Sequence, residues 1–374
     1  MKKKPQSLLA LILLSVFLAA GIQAQPTLKD AFKNDFLVGT ALKEFQFDGE
    51  DPRTMELIKA QFSSISPANL LKWDTVHPGP RTYNFEPADR YVEFGVENHM
   101  FIVGHVLIWH NQTPQWVFQD TKGNPVDRNT LLTRMREHIL TVVGRYKGKI
   151  GGWDVVNEAL DDSGTLRQTP WLRIIGEDYI VKAYEFAHEA DPTAQLYYND
   201  YSLENSSKRL GAIALIKKLQ ARGIPVAGVG LQGHYKLNWP TTIQLDQTIE
   251  AFARNGVKVN LTELDMDVLP PATRNQGADI TLNFALQAQL NPYTNGLPVS
   301  VQQNLAQRYA DVFAVLTKHR QTINRVTFWG VTDADSWLNN WPVRGRTAYP
   351  LLFDRNCQPK PAFEAVIRIA HPGH

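Results

Sequence analysis

The stretch GGWDVVNEALDDSG, residues 151–164, places an amide and a carboxylate at the end of an apolar run. Trp153, Val155 and Val156 are typical of a strand that is buried in a core. Asn157 and Glu158 follow at the point where such a strand ends. The place of this strand in the fold therefore decides what the two polar side chains can do.

Short apolar runs alternate with longer amphipathic runs along the chain. The short runs are rich in β-branched and aromatic residues, and the long runs have the three- and four-residue apolar spacing of helices. This alternation predicts a parallel sheet covered by helices, and eight such units in 374 residues predict a single (β/α)8 TIM barrel of class α/β. An open doubly wound sheet is the alternative, but VGTALKEF (38–45) lacks the glycine-rich phosphate loop that usually follows its first strand.

The boundaries of these elements follow from the same patterns. The predicted strands are Phe36–Ala41, Phe62–Ile65, Met100–Ile108, Ile150–Val156, Gln195–Tyr198, Gly228–Leu231, Val257–Leu261 and Arg325–Trp329. The clearest predicted helices are Asn129–Tyr146, Ile174–Ala190, Ser206–Arg222, Thr242–Asn255 and Ser300–Lys318.

The first 24 residues have the pattern of a secretory signal peptide. Three lysines precede an apolar stretch from Leu8 to Ala20, and small residues follow as far as Ala24. The apolar stretch is short for a membrane span, so a retained single-helix anchor is the weaker interpretation. We expect residues 1–24 to be removed, leaving one domain over residues 25–374 that is secreted or periplasmic.

Composition excludes several classes of partner. The chain has 39 basic and 37 acidic residues, and three of the basic ones belong to the signal peptide. This balance gives no basic surface for nucleic acid and no attraction to an anionic membrane. Cys357 is the only cysteine, so no disulfide within the chain is possible. We expect a monomer, stabilised by a large core, with neither nucleic acid nor membrane as a partner.

Polar and aromatic residues collect at the ends of the predicted strands. In a (β/α)8 barrel the active groups lie at the carboxyl ends of the strands, in the loops that lead into the helices. Glu158 follows the fourth strand and Glu263 follows the seventh, so the two can face each other across one rim. The other candidates on this rim are Asn69, Lys72, His105, Trp109, Gln112, Asn157, Tyr201, Gln232, His234, Asp265, Trp329 and Trp337.

Glycoside hydrolysis commonly uses two carboxyl groups that face each other across the bond to be cleaved. One protonates the leaving oxygen, and the other attacks the anomeric carbon or activates water. A separation of about 5–5.5 Å gives retention and about 6.5–9.5 Å gives inversion. The sequence alone leaves both outcomes open.

Neighbouring residues suggest how the two carboxyl groups differ. A nucleophile must stay ionised, and His234 and Thr262 are candidate hydrogen-bond donors to Glu263. Asp265 can hold His234 in orientation, and Asn157 can bind a sugar hydroxyl next to the reacting carbon.

Tryptophans at the strand ends provide faces for sugar rings. Trp73, Trp109, Trp329 and Trp337 can each serve as such a platform or as part of the core. The chain has no HExxH motif, no cluster of cysteine and histidine and no EF-hand spacing, so we expect neither a catalytic metal nor a cofactor.

At this point the chain resembles the endo-β-1,4-xylanases of glycoside hydrolase family ten, over nearly all of its length after the signal peptide. The matching blocks are NLLKWD (69–74), GHVLIWHNQTPQW (104–116), WDVVNEAL (153–160), YYNDYSLE (197–204), GLQGHY (230–235), LTELDM (261–266) and FWGVTDADSW (328–337).

The resemblance implies a retaining (β/α)8 enzyme that acts on xylan and xylo-oligosaccharides. It implies Glu158 as acid/base and Glu263 as nucleophile, with Asn157, His234 and Asp265 in support. It also implies sugar contacts, on the glycone side, from Asn69, Lys72, His105, Trp109, Gln112, Gln232, Trp329 and Trp337. Of these, Gln112 and Trp337 would crowd the space of a glucose hydroxymethyl group and so favour xylose.

Three features depart from the family pattern. Ala68 stands where the family usually has a glutamate that binds a sugar hydroxyl one unit beyond the reacting ring. Ser202 replaces the second asparagine of the family's NDYN block. The segment Asp267–Pro298 is long, and we expect it to form a loop over the aglycone side, where it would alter the preference for chain length.

Two other functions compete with xylan hydrolysis. A β-1,4-glucanase or mannanase would use the same barrel and the same pair of carboxyl groups. A sugar-binding protein on an inactive barrel would keep the tryptophans and need neither glutamate, and both glutamates are present.

Overall fold

The apolar runs form a closed ring of parallel strands in the computed structural model, which describes residues 26–272 and 277–370. The strands are β1 (Leu37–Leu42), β2 (Ser64–Pro67), β3 (Phe101–Ile108), β4 (Gly152–Asn157), β5 (Gln195–Asp200), β6 (Gly228–Leu231), β7 (His234–Lys236), β8 (Lys258–Asp267) and β9 (Ile323–Phe328). Both β6 and the short β7 pair with β8, so together they occupy the sixth position of an eight-position barrel. The prediction of a (β/α)8 TIM barrel is confirmed.

Helices lie between successive strands and cover the barrel. They are α1 (Leu28–Ala31), α2 (Pro52–Gln61), α3 (Trp73–Val76), α4 (Glu86–Glu97), α5 (Arg128–Arg145), α6 (Pro170–Ile175), α7 (Tyr179–Ala190), α8 (Ser206–Gln220), α9 (Thr242–Ala253), α10 (Val299–Lys318) and α11 (Pro361–Ala370). In the described ranges no helix is long and apolar enough to cross a membrane. The predicted signal peptide lies outside the described residues.

Side-chain caps explain where several helices begin. The carboxylate of Asp127 accepts a hydrogen bond from the Thr130 N–H at 2.9 Å at the start of α5. Thr241 and Gln244 form a reciprocal capping box at the start of α9. Each such cap satisfies backbone N–H groups that have no partner within the helix.

Most predicted boundaries agree with the structure to within two residues, and two predictions were wrong by more, each for a local reason. The predicted helix Ile174–Ala190 is two helices, because Gly176 ends α6 with a φ of 93°. The seventh barrel strand, β8, runs on to Asp267 rather than ending at Leu261, because its backbone continues to pair with β9 and β7. Glu263 and Asp265 therefore belong to the strand itself, where pairing on both sides fixes their direction.

Candidate active site

A cavity of about 570 Å³ opens at the carboxyl ends of the barrel strands. Its lining includes every residue that the sequence predicted for the site. These residues are Asn69, Lys72, His105, Trp109, Gln112, Asn157, Glu158, Tyr201, Gln232, His234, Glu263, Asp265, Trp329 and Trp337. The barrel thus brings together side chains that are up to 268 positions apart in the chain, from Asn69 to Trp337.

Glu158 is a buried carboxyl group held by two neutral donors. Gln232 Nε2 donates to Glu158 Oε1 and Trp109 Nε1 donates to Glu158 Oε2, each at 2.9 Å. Burial and the negative charge of Asp200 raise the pKa of Glu158, against the effect of these hydrogen bonds. A carboxyl group in this setting is suited to hold a proton and deliver it.

Glu263 is equally buried but stays ionised more readily. Burial acts to raise its pKa, yet the hydrogen bond from His234 and the charge of His105 outweigh burial, and the pKa of Glu263 is lowered overall. Asn199 Nδ2 adds a hydrogen bond to Glu263 Oε1 at 2.9 Å. The two glutamates of one cavity therefore have pKa values displaced in opposite directions.

His234 lies between two carboxylates. Its Nε2 is 3.1 Å from Glu263 Oε2, and its Nδ1 is 3.1 Å from Asp265 Oδ1. Burial opposes the charged imidazolium, but Asp265 and Glu263 raise the pKa of His234 to about 10. His234 is therefore a cation near neutral pH: its Nε2–H donates to Glu263, and its Nδ1 forms an ion pair with Asp265. Trp337 Nε1 donates to the second oxygen of Asp265 at 2.7 Å, which fixes that carboxylate.

Asn199 connects the surroundings of the two glutamates. Its NH2 group donates to both Glu263 Oε1 and Asn157 Oδ1, at 2.9 and 3.0 Å, while its own oxygen accepts from the Thr262 hydroxyl at 2.6 Å. Because the Glu263 carboxylate can only accept, Asn199 must turn its NH2 group toward it. The same NH2 group faces Asn157, so the Asn157 side chain must present its oxygen there. With its oxygen engaged, the NH2 group of Asn157 can bind a sugar hydroxyl.

Lys72 organises the rim of the second and third strands. Its Nζ donates to Asn69 Oδ1 at 2.9 Å and to Gln112 Oε1 at 2.8 Å, and it lies 4.9 Å from the ring centre of Trp109. Burial lowers the pKa of Lys72 to about 8, although the charges of Glu263 and Glu158 oppose the decrease. The ammonium group is therefore placed to bind hydroxyl oxygens in the cavity.

The tryptophans divide between cavity and core. Trp109, Trp329 and Trp337 line the cavity, and Trp337 stacks on Trp341 with ring centres 4.7 Å apart. Trp73 is 2% exposed and stacks on His138 at 3.6 Å, so it belongs to the core rather than to a sugar platform.

One prediction about a neighbouring group differs from the structure. The Thr262 hydroxyl donates to Asn199 rather than to Glu263, so it supports the nucleophile only indirectly. The described part of Asp267–Pro298 lies against residues after the third and eighth barrel strands, and its Gly277, Ala278 and Ile280 line the cavity. Its place over the aglycone side stays a prediction. Asn111 Nδ2 donates to the Ala278 carbonyl at 3.1 Å, and the Phe284 N–H donates to the Pro342 carbonyl at 2.9 Å.

Sequence reasoning missed two parts of the site. Asn199 follows the fifth predicted strand, and its position at that strand end was the available signal. Asp200, beside it, had the same signal, but its buried partner Lys208 lies inside a helical pattern and had none, so the pair, with Oδ1 and Nζ 2.9 Å apart, was not predicted.

The chain is similar in sequence and in fold to known proteins of one family. The model of the family "Glycosyl hydrolase family 10" matches residues 27–369. An endo-1,4-beta-xylanase A of Xylanibacter ruminicola is 45% identical over 369 residues, covering 99% of this chain and 100% of that protein. A beta-1,4-xylanase of Dictyoglomus thermophilum is 43% identical over 345 residues, covering 92% of this chain and 91% of that protein. A solved family 10 endoxylanase from a sugarcane soil metagenome superposes with a TM-score of 0.89 at 43% identity, covering 91% of this chain and 99% of its own.

Proposed function

Because the chain belongs to glycosyl hydrolase family 10, we infer that it is a retaining endo-1,4-β-xylanase that hydrolyses internal bonds of xylan. The observation that carries the assignment of roles is the opposite displacement of the two glutamate pKa values within one cavity. The substrates we propose are xylan and xylo-oligosaccharides.

We assign Glu263 as the nucleophile and Glu158 as the acid/base. The Glu263 carboxylate attacks the anomeric carbon while Glu158 gives its proton to the glycosidic oxygen, so the leaving chain departs as a neutral alcohol. Water then loses a proton to Glu158 and displaces Glu263, which regenerates both groups and retains the configuration.

The electrostatics of the pair supports this exchange of roles. The charge of Glu263 raises the pKa of Glu158 in the free site. Esterification of Glu263 removes that charge, so the pKa of Glu158 falls just when it must act as a base. His234 keeps Glu263 ionised before the attack.

A β-1,4-glucanase or mannanase is less favoured, because the curated relatives described above are xylanases and because Gln112 and Trp337 are both at the cavity. Release of reducing sugar from xylan, carboxymethylcellulose and mannan separates these functions. We expect activity on xylan to exceed the other two by at least about tenfold, since a mis-seated hydroxymethyl group costs on the order of 1–3 kcal/mol. Comparable activity on all three polymers would contradict the proposal.

Glu158→Ala tests the assignment of the acid. Only a poor leaving group needs a proton, so this variant should nearly retain kcat/KM for dinitrophenyl β-xylobioside, which reports the steps up to the glycosyl-enzyme, and lose kcat/KM for xylan. Its kcat on the dinitrophenyl substrate should fall, because the second step lacks its base. Equal losses on the two substrates would contradict the role of Glu158.

We also propose that residues 1–24 direct export, on the basis of their lysines and apolar stretch. Amino-terminal sequencing of the protein from periplasm and culture medium should begin at Gln25. A protein that begins at Met1 in the cell fraction would overturn this.

A further inference from the structure

Glu158 has a backbone conformation that residues other than glycine rarely adopt. Its φ is +55°, in the left-handed region. Such a residue persists only where the surrounding structure holds it in place. The Glu158 N–H donates to the Asn199 carbonyl at 2.9 Å, which fixes one side of the residue. The other side, its carbonyl, faces the segment that follows β4.

That segment is a hairpin that returns to Glu158. Leu160 and Leu166 form an antiparallel bridge, and the Arg167 N–H donates to the Ala159 carbonyl at 2.8 Å. The Asp161 carboxylate accepts hydrogen bonds from two N–H groups across the turn, at 2.9 and 3.2 Å. Asp161 thereby has a structural role in holding the turn. The hairpin delivers Arg167 next to the residue it started from.

The Arg167 guanidinium binds three oxygens from the segments that follow two barrel strands. Its Nε donates to the Glu158 carbonyl at 3.1 Å, and its Nη2 donates to the Leu160 carbonyl and to the Tyr201 hydroxyl, each at 2.8 Å. Only arginine presents N–H donors in a fixed planar fork of this kind. Arg167 therefore joins the backbone of the acid after the fourth strand to an aromatic side chain after the fifth.

Tyr201 is itself fixed and lines the cavity. Lys208 Nζ lies 3.1 Å from the centre of its ring and 2.9 Å from Asp200 Oδ1, and the side chains of Lys208 and Asp200 are fully buried. Because arginine can only donate, the Tyr201 oxygen accepts from Arg167 and its own O–H can bind a sugar hydroxyl. The ring is thus a rigid wall beside the acid.

We propose that Arg167 is a positioning residue that ties Glu158 to the Tyr201 wall and so aligns the carboxyl proton with the glycosidic oxygen. The inference rests on the proposed role of Glu158 as the acid. It concerns alignment of the proton donor, so removal of Arg167 should slow only those reactions that need the proton.

The test compares two leaving groups. For Arg167→Met, kcat/KM on xylotetraose should fall about 10- to 100-fold, because small displacements of a reacting group have effects of that size. On dinitrophenyl β-xylobioside it should fall less than about threefold, since a dinitrophenolate leaves without a proton. Arg167→Lys should behave like the methionine variant, because it keeps the charge and loses the fork. If the methionine variant does not fold, the lysine variant decides.

A second measurement separates alignment from a general structural defect. In a Glu158→Ala background, Arg167→Met should cause no further loss on xylotetraose. Arg173→Met is the matched control, since Arg173 belongs to the same region and donates to the nearby Gln168 carbonyl; it should change neither substrate. Equal losses of kcat/KM on both substrates would overturn the proposal. So would a loss on xylotetraose that is as large when Arg167→Met is added to Glu158→Ala as when it is made in the wild type. Failure of Glu158→Ala alone to distinguish the two leaving groups would instead defeat the proposed function.

Discussion

Ala68 is a small residue at a place in the cavity where the family resemblance implies a glutamate. It lies beside Asn69 and lines the same cavity. We predict that Ala68→Glu raises kcat/KM for xylotriose about tenfold or more, since a hydrogen bond from a hydroxyl to a charged group contributes about 1.5–3 kcal/mol.

Ala68→Gln is the control for this gain. It has nearly the same shape and lacks the charge, so its effect should be much smaller. Unchanged kinetics in Ala68→Glu would show that the sugar one unit beyond the reacting ring does not contact this position.

Asp200 acts on the acid through its charge. It is fully buried and raises the pKa of Glu158. Asp200→Asn removes the negative charge and leaves Lys208 without its counterion, and both changes lower the pKa of Glu158. The alkaline limb of kcat/KM against pH reports the acid of the free enzyme, so it should move to lower pH.

The matched control is Asp162→Asn. Asp162 is 67% exposed and lies 3.8 Å from the same lysine, so solvent screens its charge and the limb should hardly move. A shift to higher pH in Asp200→Asn would contradict the assignment of that limb to Glu158.

For single residues, the sequence predicted which residues belong to the site better than it predicted their hydrogen-bond partners. Glu158, Glu263 and His234 could be found because each stands beside other polar residues at a strand end. The hydroxyl of Thr262 could not be assigned, because whether it reaches Glu263 or Asn199 depends on the direction of neighbouring strands. Arg167 stands outside any strand, and only the hairpin brings it to Glu158.

Between elements, two glycines allow the hairpin after β4 to contact α8. A Cβ on Gly211 would lie 2.1 Å from the Gly164 carbonyl oxygen. Gly211→Ala gains up to about 1 kcal/mol of helix propensity, but the clash with rigid backbone costs on the order of 1–3 kcal/mol. We expect a net loss of stability in urea unfolding.

Gly144 provides the opposite case in α5. Apart from its own helix backbone and chain neighbours, no atom of the described residues lies within 4 Å of the Cβ that Gly144→Ala would add, so this variant should gain up to about 1 kcal/mol. Stabilisation by both substitutions would mean that the hairpin and α8 are not in close contact.

Element types were more predictable than their ends. Side-chain patterns reveal which segments are buried, but pairing is made by the backbone, so β8 continues through Glu263 and Asp265 although both are polar. The sequence shows that residue 176 is a glycine, which can end a helix, but it does not show that this glycine adopts the φ of 93° that separates α6 from α7.

For the whole molecule, a buried pair of histidines ties stability to pH. His77 and His138 lie with their Nδ1 atoms 3.1 Å apart. Burial lowers the pKa of His77 to about 4 and the pKa of His138 well below its usual value. The unfolded chain, with histidine pKa values of about 6.5, binds more protons, so this contribution to stability is present above pH 6.5 and is lost as pH falls toward 4.

His138→Gln tests this dependence. The difference in unfolding free energy between wild type and variant should be largest near neutral pH and should shrink in acid. Met135→Leu, a neutral substitution on the same helix α5, is the control and should show a constant difference, because neither side chain titrates. A difference for His138→Gln that grows in acid would contradict the argument.

The barrel itself could be predicted because the same strand-and-helix pattern is repeated eight times. Eight similar units must close, so boundary errors of up to six residues, as at the end of β8, did not change the architecture. The path of Asp267–Pro298 had no such repetition, because a long loop is placed by single contacts such as that between Asn111 and Ala278.

The left-handed backbone of Glu158 has an evolutionary consequence. Folding alone gains nothing from a glutamate there: its backbone is unfavourable and its carboxyl group is costly to bury. Purifying selection for catalysis must therefore maintain the residue, and a lineage released from that selection would lose it early while keeping the barrel and its cleft. A xylanase of this design is thus only a few substitutions from a protein that holds a polysaccharide without cutting it.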